Sequence, residues 1–177
     1  MKCLVVSDTH TNLEFYKGCL SRYLPSSIDL VIHLGDNYID ALLAHEYNHK
    51  LVCVPGTRCS QYEDTLIENR RFELFNSWRC LLSHTPTINM GDLSTDINPL
   101  EEIKNNKCDV FLHGHTHKQT VRRISNVIIL NPGHLKSNFD RGEKPGYMIV
   151  NFGLKTLQVS CYDCISHSCN ATHEFTK

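Results

Sequence analysis

Residues 109–117 read Asp-Val-Phe-Leu-His-Gly-His-Thr-His, an apolar run that ends in three histidines at alternate positions. Successive side chains of an extended strand point to opposite faces, so His113, His115 and His117 share a face if the strand persists through them. Gly114 removes a side chain where another group must approach the backbone closely. A His-x-His pair at a strand end suits a metal site or a pair of solvated imidazoles, and the rest of the chain has to decide between them.

Three other apolar runs end in the same kind of residue. Met1–Ser7 is continuously apolar rather than alternating, the mark of a strand buried on both faces, and it stops at Asp8-Thr9-His10. Leu30–Leu34 stops at Gly35-Asp36. A hairpin of Arg71–Phe75 and Trp78–Leu82 around Asn76-Ser77 runs into Ser83-His84. Helical patterns are predicted from Asn12 to about Tyr23 and from Ile39 to about Tyr47, with a third strand at Leu51–Val54. This alternation implies parallel βαβ units, and sheets of that kind bind ligands beyond the carboxyl ends of their strands. One such edge would gather Asp8, His10, Asp36, His84, His115 and His117.

Further helices are predicted at Tyr62–Asn69 and from about Pro99 to Asn106. Beyond the histidine strand the chain reads as β, with Val127–Leu130, Tyr147–Phe152 and Thr156–Tyr162. The expectation is an α/β protein with a βαβ-like N-terminal half and a mostly β C-terminal half. It forms one domain over residues 1–162, and 163–177 is a tail where disorder is expected.

Composition removes several function classes. A formal net charge of -1 argues against an extended groove for nucleic acid or an anionic membrane, both of which call for clustered Lys and Arg. No segment approaches the roughly 20 apolar residues of a membrane span, so the protein is expected to be soluble and cytoplasmic. Nine cysteines are many, but Cys3, Cys53, Cys80 and Cys108 sit in or beside apolar runs as small buried hydrophobes, which speaks against a disulfide framework. Cys161, Cys164 and Cys169, with His167 and His173 nearby, lack the second Cys-x-x-Cys of a zinc ribbon and read as free thiols.

Two carboxylates and four imidazoles suit a pair of divalent transition ions, since imidazole favours such ions and a carboxylate can bridge them. The ordered set Asp-x-His, Gly-Asp, His and Gly-His-Thr-His resembles the calcineurin-like metallophosphoesterase superfamily, and in size and layout its small single-domain phosphodiesterases of bacteria and archaea. The similarity includes the turn Asn131-Pro132-Gly133. The resemblance implies a two-sheet β-sandwich core flanked by helices. It also implies that Asp8, His10 and His117 bind one ion, that His84 and His115 bind the other, and that Asp36 bridges them. Manganese is the favoured metal, with nickel, zinc and iron as alternatives. Such a pair polarises a bridging water to hydroxide near neutral pH, and the hydroxide attacks phosphorus in line.

One departure stands out. Relatives carry Gly-Asn followed by His or Cys and an acidic residue, whereas this chain has Gly56-Thr57-Arg58-Cys59. Thr57 offers only a hydroxyl where the family asparagine gives an amide oxygen, so the second ion is expected to bind more weakly. Arg58 keeps its proton at any useful pH and is suited to clamp a phosphate rather than to act as an acid. Asp36, His10 and Arg58 are the candidate catalytic residues.

The expected activity is metal-dependent hydrolysis of a small phosphate ester, a phosphodiester first and a phosphomonoester as the nearest variant. The competing class is a non-catalytic scaffold for protein binding, like the retromer subunit of similar fold. A zinc hydrolase of the metallo-β-lactamase type would need His-x-His-x-Asp-His, and Lys118 after His117 breaks that pattern. The strand-rich C-terminal half offers a surface for a homodimer.

Overall fold

Strand β1, Lys2–Val6, lies between β2 (Leu30–His33) and β9 (Gly146–Phe152) in the computed structural model, which describes residues 1–177. Its continuous apolar run is explained by where its two faces go. Cys3 and Val5 point into a core between two sheets, while Leu4 and Val6 pack under helix α1 (Leu13–Arg22). A strand covered on both sides has no face left for polar residues.

The first sheet has the order β11-β10-β9-β1-β2-β3, with β3 at Leu51–Cys53, β10 at Thr156–Asp163 and β11 at Cys169–Thr176. The second has the order β4-β5-β6-β8-β7, with β4 at Arg70–Phe75, β5 at Trp78–Ser83, β6 at Val110–His113, β7 at Thr120–Ile124 and β8 at Val127–Asn131. Strands β1, β2 and β3 are parallel, and so are β5, β6 and β8. Trp78, Leu82, Leu112 and Leu130 of the second sheet meet Val5, Ile32 and Val150 of the first in the central core. Phe111 and Ile129 face outward toward the helix Pro99–Lys104. The architecture is therefore two facing sheets with helices on their outer faces, as expected.

Several expectations require correction. The histidine strand does not persist, because β6 stops at His113 and His115 and His117 lie in the turn beyond it. The helix over 39–47 is two single turns, Tyr38–Ala41 and Leu43–Glu46, and that over 62–69 is only a 3-10 turn at Ser60–Glu63. The strand ends belong to two sheets rather than to one edge of a single sheet. Residues 169–176, placed in a tail of expected disorder, form the outermost strand of the first sheet, paired with β10 from Thr156↔Thr176 to Tyr162↔Cys169. Lys177 then reaches the Asp109 carboxylate at 2.7 Å and lies 5.3 Å from the centre of the Trp78 ring, which ties the chain end across the sandwich. All nine cysteines are unpaired thiols. No helix is long and apolar enough to cross a membrane.

Candidate metal centre

The six predicted donors converge at one end of the sandwich. Asp8 and His10 follow β1 and Asp36 follows β2 in the first sheet, whereas His84 follows β5 and His115 and His117 follow β6 in the second. Each strand ends and the chain then turns sharply. Asp8, His10, Asp36, His115 and His117 all have positive φ, at 55°, 48°, 86°, 66° and 65°. Left-handed backbone costs of order 1 kcal/mol at a residue with a Cβ. Five of the six donors therefore sit on strained backbone, which holds their side chains at the mouth of the sandwich instead of letting the strands run on.

Asp8 is the hub. It is 1% exposed, and its Oδ2 accepts from Ser7 Oγ at 2.6 Å and from the His115 amide at 2.9 Å. Its Oδ1 lies 3.2 Å from His117 Nε2 and 4.0 Å from His84 Nε2, yet accepts no hydrogen bond. The donor atoms of Asp8, His10 and His117 lie within 4.8 Å of one another, as do those of Asp8, Asp36 and His84. His10 joins the two groups, with Nε2 3.1 Å from His117 Nε2 and Nδ1 3.2 Å from Asp36 Oδ2. His115 packs edge-on against His84, with ring centres 5.1 Å apart, and lines the same cavity without joining either group of close donors.

An orphaned buried carboxylate oxygen facing imidazole nitrogens is expensive unless a cation completes it. The outer ring nitrogens are already committed. His84 Nδ1 donates to the Leu34 carbonyl at 2.9 Å, and His117 Nδ1 contacts Asp140 Oδ2 at 2.5 Å. Both contacts leave the Nε2 lone pair for a metal, the arrangement in which histidine ligands are usually held. The donor set therefore fits divalent ions.

The electrostatics agree. Burial opposes ionisation of Asp8, but His117, His84 and Ser7 outweigh it and hold the carboxyl well below its usual range. His117 is pushed up despite burial by Asp8 and Asp140, so a metal would displace a proton there. His10 and His115 are pushed down, in both cases first by burial.

Beside the centre, fully buried His33 is pushed down to about 4 by burial. Its Nδ1 accepts from the Gly35 amide at 3.2 Å and its Nε2 has no partner. The unfolded chain takes up the proton near 6.5 and the folded chain only near 4. The unfolded state thus binds more protons in that window, and stability falls as pH falls through it, by up to about 3 kcal/mol for this group. Urea unfolding of metal-free protein at intervals from pH 7 to 4 should show this slope. The slope should flatten in His33→Gln, and an identical slope in that variant rules His33 out as its source.

The sequence matches the calcineurin-like phosphoesterase superfamily domain over residues 1–153. The chain belongs to that superfamily. A phosphodiesterase of Methanocaldococcus jannaschii is 22% identical over 147 residues, which cover 75% of this chain and 83% of the relative. Among solved structures, the Escherichia coli phosphoesterase Yfce superposes with a TM-score of 0.68 at 20% identity, covering 98% of each chain. Entamoeba histolytica Vps29 complexed with Zn2+ does so with a TM-score of 0.73 at 19% identity, covering 99% of each. The superfamily is metal-dependent, and the donor groups of this chain are candidates for that role.

The loops around the candidate metal centre are braced by polar contacts. Asn131 donates to the Gly114 carbonyl and to Thr116 Oγ1, both at 2.9 Å, so the Asn-Pro-Gly turn holds the histidine loop. Buried Arg70 binds Asp92 at 2.6 Å and Thr85 Oγ1 at 2.8 Å, and Tyr62 donates to Asp92 and Asp96, which fixes the 87–96 loop beside Thr57. Thr57 and Arg58 both line the cavity. The sequence reading missed Asp140 and Arg141. Both come from a long loop with no apolar pattern, and only the neighbouring Gly142 hinted at a turn.

Proposed function

We propose that this chain is a metal-dependent phosphodiesterase acting on a small organic phosphodiester. The observation that supports this most directly is the buried, unpartnered Asp8 Oδ1 at the meeting point of two donor groups. It opens into a cavity of about 120 Å³ lined by nine residues, none of them hydrophobic. Asp8, His10 and His117 would hold one divalent ion and His84 and His115 the other, with Asp36 as the shared carboxylate. When bound, such ions, manganese favoured, supply a nucleophile from water at neutral pH and draw charge from the phosphoryl oxygens.

The chain's own residues do the rest. Asp140 and the Leu34 carbonyl fix the ring orientations of His117 and His84. Arg58, exposed and permanently charged at the cavity rim, neutralises charge on a bound ester and has no proton to give the leaving group. Thr57 in place of an amide leaves the second ion weakly held. The formal charge of -1 supports a small substrate over a polyanionic one, and the unpaired thiols support a cytoplasmic setting.

The test is hydrolysis of bis-p-nitrophenyl phosphate by protein loaded with manganese. Turnover should disappear on chelation with EDTA, return on re-addition of metal, and be absent in His117→Ala. Failure with every divalent metal, or equal rates in that variant, sinks the reading. A second reading, a non-catalytic scaffold, is favoured by Thr57 and Arg58 and by the Vps29 likeness. Purified protein that neither retains nor takes up one ion per chain would favour it.

A further inference from the structure

The loop between β8 and β9 carries a residue that the metal-donor reading leaves without a role. Asp140 and Glu143 exchange backbone hydrogen bonds at 3.0 and 2.9 Å, and between them Arg141 and Gly142 both have positive φ, at 51° and 86°. This is the pattern of a two-residue hairpin turn that favours Asn, Asp or Gly at the first central position. Arginine gains nothing from that backbone, so its presence asks what the side chain does.

The side chain reaches the centre. Arg141 lines the cavity that holds the six donors, together with Arg58. Its Nη1 donates to the His115 carbonyl at 2.9 Å and its Nε stands 3.6 Å from Asp140 Oδ2. A guanidinium has five N–H donors in a planar fork. The single bond to His115 therefore orients the fork and leaves donors over for an anion, which a planar fork binds in bidentate fashion. Asp140, the one carboxylate near it outside the donor set, is already engaged by His117 Nδ1 at 2.5 Å and Lys136 Nζ at 2.8 Å.

We propose that Arg141 is a substrate-binding residue, anchored on the His115 backbone, that takes a phosphoryl oxygen of the bound ester alongside Arg58. The proposal rests on the phosphoesterase reading for its substrate but not on turnover for its test. A purely structural role, bracing the His115 carbonyl, predicts instead that the residue affects metal affinity.

Arg141→Asn separates the two roles, because asparagine suits the turn and cannot reach the cavity. Calorimetric titration of manganese-loaded protein with inorganic phosphate should show affinity lowered about tenfold or more, the expected loss of one charge-assisted contact. The KM for bis-p-nitrophenyl phosphate should rise by a similar factor while kcat, manganese affinity and melting temperature stay close to wild type. Arg141→Lys should fall between the two. Unchanged phosphate affinity and KM overturn the proposal, and so does a parallel loss of manganese affinity. Weaker phosphate binding in the variant of a protein without turnover keeps the anion role and discards the phosphodiesterase reading. Turnover with unaltered phosphate affinity does the reverse.

Discussion

Asp8→Asn is expected to lower manganese-dependent hydrolysis of bis-p-nitrophenyl phosphate by about a thousandfold or more, a loss of about 4 kcal/mol in transition-state stabilisation. The substitution hardly changes shape, so the effect must come from charge and from donor placement. Asp8 belongs to both groups of close donors, so removing its charge weakens the ion it would hold directly and makes the place of the other less favourable for a cation. Orientation adds to this. Ser7 Oγ and the His115 amide both donate to Oδ2, so the asparagine oxygen must stay there to satisfy them. The amide nitrogen then takes the place of Oδ1 and presents N–H groups toward His117 Nε2 and His84 Nε2, where a cation would sit. Metal content should fall together with the rate. A variant that keeps wild-type metal stoichiometry and retains more than about a tenth of the rate would falsify the central role given to this carboxylate.

The same residue shows how far the sequence could be read. The buried strands and the six candidate donors at one end of the sandwich were legible because their signal is local: a continuous apolar run followed by Asp or His at the strand end. The left-handed turns were not, since nothing in the residue types Asp, His, Asp, His and His demands positive φ. The backbone is driven there by the two sheets closing on the centre, so an extrapolated strand placed His115 and His117 wrongly. The two-sheet core followed from the family resemblance and not from the apolar pattern, because parallel strands look alike whichever partner they take, so the pattern alone put all the strand ends on one edge. Strand β11 was missed because its outer position leaves it mostly polar. Its side chains alternate between partly covered and exposed, with Phe175 and Ala171 packing against the central core and Cys169, Asn170 and Glu174 exposed. Arg141 was out of reach because its importance lies in a turn that arginine does not favour.

Gly114→Ala should be the most damaging change that touches no donor atom. Gly114 lies between β6 and the two turn histidines, with its backbone pressed against the end of β1. A Cβ there would stand 2.0 Å from Ser7 Oγ, 2.6 Å from Asp8 Oδ2 and 3.1 Å from the Leu34 carbonyl. Ser7 could rotate away, but its hydroxyl would then lose Asp8, and Asp8 is also pinned by the His115 amide. The clash is thus relieved only by moving the carboxylate or by separating β6 from β1, in a core packed too densely to absorb either. Overpacking of this kind costs about 1–3 kcal/mol, and the upper end is expected because a buried hydrogen bond is lost with it. Urea denaturation should show that loss of stability, and manganese affinity should fall with it because the displaced group is Asp8. Ser7→Gly in the same chain removes the closest contact and should restore part of the stability without restoring full metal affinity, since Asp8 would still lack its hydroxyl partner. A Gly114→Ala protein with wild-type stability and metal binding would mean that the two sheets are not locked together at this point. The convergence of six donors from separate strands would then need another physical cause.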